Sequence, residues 1–330
     1  IFWPYLISEL GMTESQLGMV TAFYFIPVAI LAIFVGRALD KYSVKNFMMI
    51  GSMIYAVGLF SLSFINSFWS LITIYLTILA LGSIMMGNLA VAKLISNWFD
   101  KNAGRALGIA AVGISFSGVV LPLIVDPLLD IVGWRNVYVI FASVVLFIIL
   151  PLIFFVVIDD PHTVNQVKDG MKRDLEKESL PKVMTSKNLL SKKVFWIISL
   201  AFAFQFLSMM GVIAFLPIHA SKMGLDQIWN LIGFPVKQYV FAYALAAFGG
   251  VLGKLIFGYL IDIMKAAYPS MLAMSLQATG IFGFTYFSEP SIFLLSALIF
   301  GLGYGAATPL MTACYLRAFG SNNLGKARGI

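Results

Sequence analysis

The stretch "FVGRALDKYSVK", residues 34–45, places four charged side chains between two long apolar segments. Charged residues are scarce elsewhere: they make up 11% of the 330 residues, and hydrophobic residues make up 60%. A soluble domain carries about 25% charged residues, so this composition predicts an integral membrane protein. The quoted stretch is then a loop at the membrane surface, and its neighbours are helices that cross the bilayer.

Nine apolar segments have about the 20 residues that a helix needs to span a bilayer. They lie at about 15–37, 46–66, 69–94, 104–126, 134–157, 194–217, 236–261, 269–288 and 290–316. A helical fragment at 1–10 precedes them, and a further helix begins near 325, so we expect the N-terminus to be incomplete. The alternating pattern of a membrane β-barrel is absent from the sequence.

One set of loops carries most of the positive charge. Its basic residues are Arg37, Lys41, Lys45, Lys101, Arg105, Lys265, Arg317, Lys326 and Arg328. The polar connector 158–193 adds eight lysines and arginines. Because positive loops remain inside the cell, we expect a multi-pass protein of the inner or plasma membrane with a cytoplasmic central loop. Orientation accounts for the net charge of +7, so no nucleic-acid partner is expected.

Two short sequence motifs occur twice along the chain. "GRALDK" at 36–41 recurs as "GYLIDI" at 258–263, and "FDKNAGRALGI" at 99–109 recurs as "FGSNNLGKARGI" at 319–330. The two pairs are displaced along the chain by almost the same distance, which indicates a duplicated unit. Its copies are helical bundles at 1–157 and 194–330, joined by the linker 158–193. Duplicated helical halves are typical of transporters that work by alternating access.

With these repeats the sequence resembles the major facilitator superfamily. Gly36, Asp40, Lys41 and Lys45 match its signature G-x-x-x-D-[RK]-x-G-x-[RK], although Ser43 replaces the inner glycine. "NWFDKNAGRALG" at 97–108 and "GWR" at 133–135 are similar to the monocarboxylate and oxalate/formate branch. The resemblance implies an all-α fold of two pseudo-symmetric six-helix bundles, from which this chain lacks most of helix 1 and helices 11 and 12.

Lys254 lies in the apolar run "GGVLGKLIFGYLID", residues 249–262. A snorkelling lysine, whose ammonium reaches the membrane interface, is one interpretation. On a helical wheel, however, Tyr243, Gly250, Lys254 and Gly258 fall within ~40° of one line, opposite bulky apolar residues. Small residues suit a helix interface or a cavity wall, so the pattern favours an inward-facing lysine that contacts substrate.

The family resemblance points to the same lysine. In the monocarboxylate and oxalate/formate branch, helix 8 places an arginine four residues before the glycine of this motif, where it binds the substrate carboxylate. Lys254 stands four residues before Gly258. Lysine offers a compact charge instead of a bidentate fork. Some proton-coupled members also have an aspartate one turn earlier, where this chain has Gly250.

Further polar residues on apolar helices are candidates for the wall of a substrate cavity, with interhelical hydrogen bonding as the alternative. They are Tyr243, Tyr304, Thr308, Gln205 and Asn88. A second group is expected to act in gating, because a carboxylate at a helix end can hold one closed state. Its members are Gly36, Arg37, Asp40, Lys41, Lys45, Gly258 and Asp262. Lys93, close to an inner loop, is interpreted as a snorkelling lysine.

Motifs of hydrolases, zinc proteases and ATP-binding loops are absent from the sequence, and Cys314 is its single cysteine. We therefore expect no enzyme, no cofactor and no metal site. The sequence predicts a monomeric secondary transporter of a small organic anion, a mono- or dicarboxylate, coupled to protons or to a counter-anion. Two alternatives remain open. One is a carrier of an inorganic anion, or of a neutral solute with Lys254 structural, and the other is a non-transporting membrane sensor with the connector as its output.

Overall fold

A computed structural model describes residues 2–169, 183–222, 228–231, 234–287 and 289–330. Most of the predicted linker's charged middle, at 170–182, therefore lies outside the described residues.

Long helices dominate the chain up to the linker. They are α1 (Trp3–Leu10), α2 (Glu14–Leu39), α3 (Val44–Leu62), α4 (Phe68–Ile74), a π-helical turn (Tyr75–Leu79), α5 (Ala80–Met86), α6 (Asn88–Trp98), α7 (Ala103–Val144), a second π-helical turn (Val145–Ile149) and α8 (Leu150–Val156).

From the linker onward the chain is again helical, with one short hairpin. The elements are a 3₁₀ turn (Pro161–Val164), α9 (Ser186–Leu190), α10 (Lys193–Lys222), β1 (Ile228–Leu231), β2 (Phe234–Lys237), α11 (Gln238–Ile263), α12 (Ala267–Tyr286), α13 (Pro290–Gly305), α14 (Ala307–Phe319), a 3₁₀ turn (Ser321–Asn323) and α15 (Leu324–Gly329). The predicted all-α membrane fold is confirmed. The antiparallel β1–β2 pair is a small addition that the sequence pattern did not predict.

Seven helical stretches among the described residues are long and apolar enough to cross a membrane. They are Glu14–Leu39, Val44–Leu62, Phe68–Trp98, Leu128–Val156, Lys193–Ile213, Phe241–Ile263 and Pro290–Phe319. The predicted segment at 269–288 forms α12, whose 20 residues extend about 30 Å but are less apolar than the other spans.

The predicted segments at 104–126 and 134–157 are separate helices that meet at a kink within the range given for α7. Within α7, the residue with a non-helical conformation is Gly133, with φ 76° and ψ 157°. Glycine adopts this positive φ without the steric cost of a Cβ atom. The turn between the two segments is therefore concentrated at one residue.

Side-chain caps explain where α2 and α3, the helices connected by residues 34–45, begin. Thr13 and Gln16 form a reciprocal capping box at the start of α2. The Ser43 hydroxyl accepts a hydrogen bond from the Asn46 N–H at the start of α3. Serine is a preferred N-cap residue, so the departure from the family signature at this position supplies a helix cap.

The chain forms two compact units. The first comprises Ile1–Asp100, Ser117–Ser186 and Phe319–Ile330, and the second comprises Lys101–Phe116 and Lys187–Ala318. Each unit thus includes a short segment from the other predicted bundle. The bundle boundaries at 157 and 194 stay predictions about the duplication.

Each compact unit has its own apolar core. In the first, Leu17, Leu62 and Trp134 are almost completely buried. In the second, Phe293 and Phe300 pack with Phe284. Many bulky side chains elsewhere on the spans are exposed, as expected of helices whose outer surface faces lipid.

Candidate functional site

The two repeated aspartates make the same contact in the two units. In the first unit, Asp40 accepts hydrogen bonds from the Gly325 N–H at 2.9 Å and the Lys326 N–H at 2.7 Å. In the second unit, Asp262 accepts from the Gly104 N–H at 2.7 Å and the Arg105 N–H at 2.9 Å. Each carboxylate therefore satisfies two backbone donors at the start of a helix, where its charge is favoured.

Glycines allow the backbones beside these contacts to approach closely. A Cβ atom on Gly36 would lie 2.1 Å from the Gly325 carbonyl oxygen, and one on Gly258 would lie 2.7 Å from the Gly104 carbonyl oxygen. Both distances are far below van der Waals contact. In each copy of the repeated motif, the glycine therefore sets the distance between the two crossing helices. The carboxylate caps the helix that starts beside the crossing.

Lys93 is placed differently from its sequence interpretation. It is 5% exposed, and its Nζ lies 3.1 Å from Asp40 Oδ1. It also donates a hydrogen bond to the Ser321 carbonyl. The expected snorkelling lysine is therefore wrong, because the ammonium is buried beside a carboxylate at the end of another helix.

Charge balance at Asp40 reflects two opposing effects. Burial raises the pKa of the Asp40 carboxyl, while the Lys93 ammonium and the N–H groups of Lys326 and Gly325 act in the opposite direction. The ion pair and the two backbone donors offset only part of the effect of burial, because the pKa of Asp40 is raised overall.

The basic residues of the stretch 34–45 lie outside the Asp40 contact. Arg37 and Lys41 are exposed, and the Lys41 ammonium lies 5.3 Å from the centre of the Tyr42 ring. The Lys45 N–H donates to Asp159 at 2.6 Å, which fixes the start of the linker to α3. A direct part in the Asp40 contact, as the gating prediction implied, is not seen for these three residues.

Lys254 occupies the buried side of α11. It is 5% exposed, and Ile256 and Tyr259 on the opposite side are exposed, as the helical wheel predicted. Its ammonium donates a hydrogen bond to the Ser115 hydroxyl of α7. Within the described part of the chain, no carboxylate lies within 4 Å of this ammonium. Ser115 is a residue that sequence reasoning missed.

The backbone around Lys254 repeats the glycine crossing seen at the aspartates. A Cβ atom on Gly108 would lie 2.4 Å from the Lys254 carbonyl oxygen. Its counterpart, Gly329, is packed in the same way against Ala32, which stands four positions before Gly36 as Lys254 stands before Gly258. At this equivalent position, one copy of the duplicated crossing therefore has alanine (Ala32) and the other has lysine (Lys254). Ser115 follows Gly108 by two helical turns, a spacing that would have suggested the contact.

Gly250 and Tyr304 pack against each other one helical turn from Lys254. A Cβ atom on Gly250 would lie 2.8 Å from the Tyr304 hydroxyl oxygen. An aspartate at this position, which the family resemblance implies for some proton-coupled members, would displace the Tyr304 ring. The structure thus brings Tyr304 next to α11, one turn from Lys254, as a candidate neighbour of the ammonium.

Two of the other predicted cavity residues, Tyr243 and Gln205, donate hydrogen bonds to backbone carbonyls. The Tyr243 hydroxyl donates to the Ile213 carbonyl, and Tyr243 precedes Lys254 by about 16 Å along α11. Gln205 is buried and donates to the Gly303 carbonyl at 3.2 Å, so it joins α10 to α13. Thr308 is half-buried on α14.

Asn88 is exposed at the first position of α6. The apolar pattern of residues 69–94 predicts one regular helix. In the structure the Tyr75–Leu79 turn is π-helical and Gly87 breaks the helix. Each irregularity shifts the helical face, so the position of Asn88 could not be read from a single 3.6-residue period.

Long apolar helices and two equivalent contacts, each with a glycine crossing and an aspartate that caps a helix, define a polytopic membrane protein with an internal repeat. The chain belongs to the Major Facilitator Superfamily, whose family description matches residues 1–330. Its fold is similar to that of the proton:xylose symporter XylE, with a TM-score of 0.76 and 14% identity over 99% of this chain and 79% of that one.

Curated relatives share low sequence identity with this chain and carry different cargoes. The probable sulfoacetate transporter of Cupriavidus necator is 25% identical over 89% of this chain and 68% of its own length. The glycerol-3-phosphate transporter of Bacillus subtilis is 23% identical over 78% of this chain and 59% of its own length. The probable hexose phosphate transport protein of Chlamydia trachomatis is 23% identical over 79% of this chain and 59% of its own length. The chain therefore spans about three fifths to two thirds of these relatives.

Proposed function

We propose that this protein is a secondary active transporter of a small organic anion and that Lys254 supplies the positive charge that meets the anion. The observation that carries the proposal is the buried ammonium on α11, without a carboxylate within 4 Å among the described residues. A buried charge without a compensating partner is costly, and ionisable residues within membrane bundles commonly serve substrate or ion pathways.

The neighbourhood of Lys254 suits the negative end of a small metabolite. Ser115 orients the ammonium, and Tyr304 provides a second hydroxyl one turn away. Because position 250 is glycine, no carboxylate one turn before Lys254 on α11 competes with the anion for the ammonium. The proposed site therefore offers one cation and two hydroxyls, which match a carboxylate with an adjacent polar group.

The names of the relatives support an anionic cargo. Sulfoacetate, glycerol-3-phosphate and hexose phosphate are all anions. They widen the proposal from carboxylates to sulfonates and phosphate esters. Membership of the monocarboxylate and oxalate/formate branch stays a proposal, supported by the position of Lys254 four residues before Gly258.

Alternating access is the proposed mechanism, with the Asp40 and Asp262 contacts as gates. Each contact consists of a few hydrogen bonds at a helix end and can break without unfolding a span. We place the protein in the inner or plasma membrane, with the linker in the cytoplasm, on the positive charge of that side. Proton symport and anion exchange are both compatible with this scheme.

The test is a competition experiment with purified protein in proteoliposomes. Counterflow of a labelled monocarboxylate, dicarboxylate, sulfonate and phosphate ester is measured against unlabelled members of the same classes, with neutral sugars and amino acids as controls. The proposal expects competition by one class of anion and none by the neutral solutes. Counterflow of a neutral solute that no anion inhibits would contradict it.

A carrier of a neutral solute is the second candidate. The observation in its favour is the Ser115 hydroxyl, which already gives Lys254 a partner and would suit a structural lysine. For that carrier, the same assay would show counterflow of a sugar or polyol. A non-transporting sensor would show no counterflow for any solute.

A further inference from the structure

Met184, within the linker, is bonded to the segment that precedes and begins α15. The Met184 N–H donates to Asn323 Oδ1 at 2.7 Å, and the Met184 carbonyl accepts from Lys326 Nζ at 2.6 Å. Asn323 is completely buried and donates in turn to the Phe319 carbonyl. Two side chains therefore bind both backbone groups of one linker residue, as a neighbouring strand would in a sheet.

The same short segment carries the Asp40 contact. The backbone N–H of Lys326 donates to Asp40, whereas its side chain holds Met184. Lys93 holds the segment from a third direction through the Ser321 carbonyl. Lys326 thus joins the linker to the Asp40 contact through two separate groups of atoms, one in its backbone and one in its side chain.

The duplicated contact at Asp262 is built differently. Arg105 follows Gly104 as Lys326 follows Gly325, so it is the counterpart of Lys326 in the repeat. Its side chain is 44% exposed. Its guanidinium lies 4.5 Å from the centre of the Tyr259 ring and 3.8 Å, at Nε, from Asp262. A basic side chain therefore reaches the linker in the first copy and an aromatic ring in the second.

We infer that the linker segment 183–185 is a strap that steadies residues 321–326 against Asp40, with Lys326 and Asn323 as its positioning residues. The strap makes one of two duplicated contacts dependent on the linker. Displacing the linker weakens the Asp40 contact and leaves the Asp262 contact unchanged. The inference concerns the Asp40 contact and not the Lys254 site, so it stands whichever solute is carried.

Hydrogen exchange of the full chain in lipid nanodiscs, read by mass spectrometry, tests the strap without any substrate. Lys326→Met removes the ammonium and keeps the backbone N–H that caps Asp40. We expect exchange in peptides covering 183–185 and 323–330 to accelerate roughly tenfold, as for loss of a hydrogen bond to a charged group. Lys326→Arg should restore the slow exchange, because a cationic donor is retained. Arg105→Met is the matched control and should leave both peptides unchanged.

A change in the linker itself provides the independent variant. Met184→Pro removes the N–H that donates to Asn323 and leaves every residue of α15 in place. The strap predicts faster exchange at 323–330 in this variant. Unchanged exchange at 323–330 in both Lys326→Met and Met184→Pro would overturn the inference, as would acceleration in Lys326→Arg equal to that in Lys326→Met. None of these results bears on the anion proposal, which depends on counterflow.

Discussion

At the scale of single residues, two buried lysines show how partners decide the meaning of a membrane charge. Lys93 and Lys254 have the same exposed fraction, 5%. Lys93 lies 3.1 Å from a carboxylate, so its charge is compensated within the protein. Lys254 meets a hydroxyl, so its charge can still attract an anion. Sequence reasoning treated Lys93 as peripheral because nothing local indicates that Asp40 lies opposite it.

Replacing Lys93 tests the buried ion pair. Lys93→Met leaves Asp40 charged and buried with its two backbone donors. Breaking a buried pair from one side costs about 3–5 kcal/mol, and the remaining donors place the expected loss of unfolding free energy near the lower end. Thermal or denaturant unfolding of purified protein measures it. Lys41→Met, at the exposed lysine next to Asp40, is the control, and equal stability of the two variants would argue against the pair.

Replacing Gly250 tests the packing of Tyr304 against α11, one turn from Lys254. Gly250→Ala places a methyl group 2.8 Å from the Tyr304 hydroxyl oxygen, and overpacking of this kind costs about 1–3 kcal/mol. We expect lower thermal stability and weaker anion binding, because Tyr304 must move. Gly113→Ala is the matched control on α7, where a Cβ atom meets nothing within 4 Å. A Gly250→Ala protein as stable as Gly113→Ala would contradict the close packing of Tyr304 on Gly250.

At the scale of elements, each proposed gate combines a helix crossing with a helix end. Gly36 and Gly258 let backbones meet, and Asp40 and Asp262 cap the helices that start there. The spacing of glycine and aspartate, four residues apart, puts both on one helical face. The combination of glycine and aspartate was predictable because it is repeated in the sequence. The partners at 325 and 104 were not, because no local pattern identifies which helix start faces which carboxylate.

The two crossings differ in the space that they leave, and alanine substitution measures it. Gly36→Ala and Gly258→Ala both direct a methyl group at backbone oxygen, which cannot move aside as a side chain can. We expect each to lower the unfolding free energy by about 1–3 kcal/mol, with Gly36→Ala the more harmful because its contact would be shorter. Gly18→Ala, at an open position of α2, is the control for helix propensity. Wild-type stability in both crossing variants would contradict the close approach.

At the scale of the whole molecule, the sequence specified more of the fold than of the site. Apolar length located seven of the nine predicted spans among the described residues, and the repeat located Asp40 and Asp262. The π-helical turn at 75–79 and the break at Gly87 shift the helical face on which Asn88 lies. Both irregularities depend on packing, so the place of Asn88 in a cavity stays a prediction. Tyr243 and Gln205 proved to bond neighbouring backbone, a use of polar groups that a helical wheel does not distinguish from cavity lining.

Charge removal at Lys254 tests the central claim most directly. Counterflow of the best labelled anion from the competition panel is measured for Lys254→Gln, with Lys254→Arg as the charge-retaining variant and Lys265→Gln as a control at an exposed position. Loss of a charge-assisted hydrogen bond predicts at least about tenfold weaker transport in Lys254→Gln, substantial activity in Lys254→Arg and full activity in Lys265→Gln. Undiminished anion counterflow by correctly inserted Lys254→Gln would show that Lys254 does not bind the cargo.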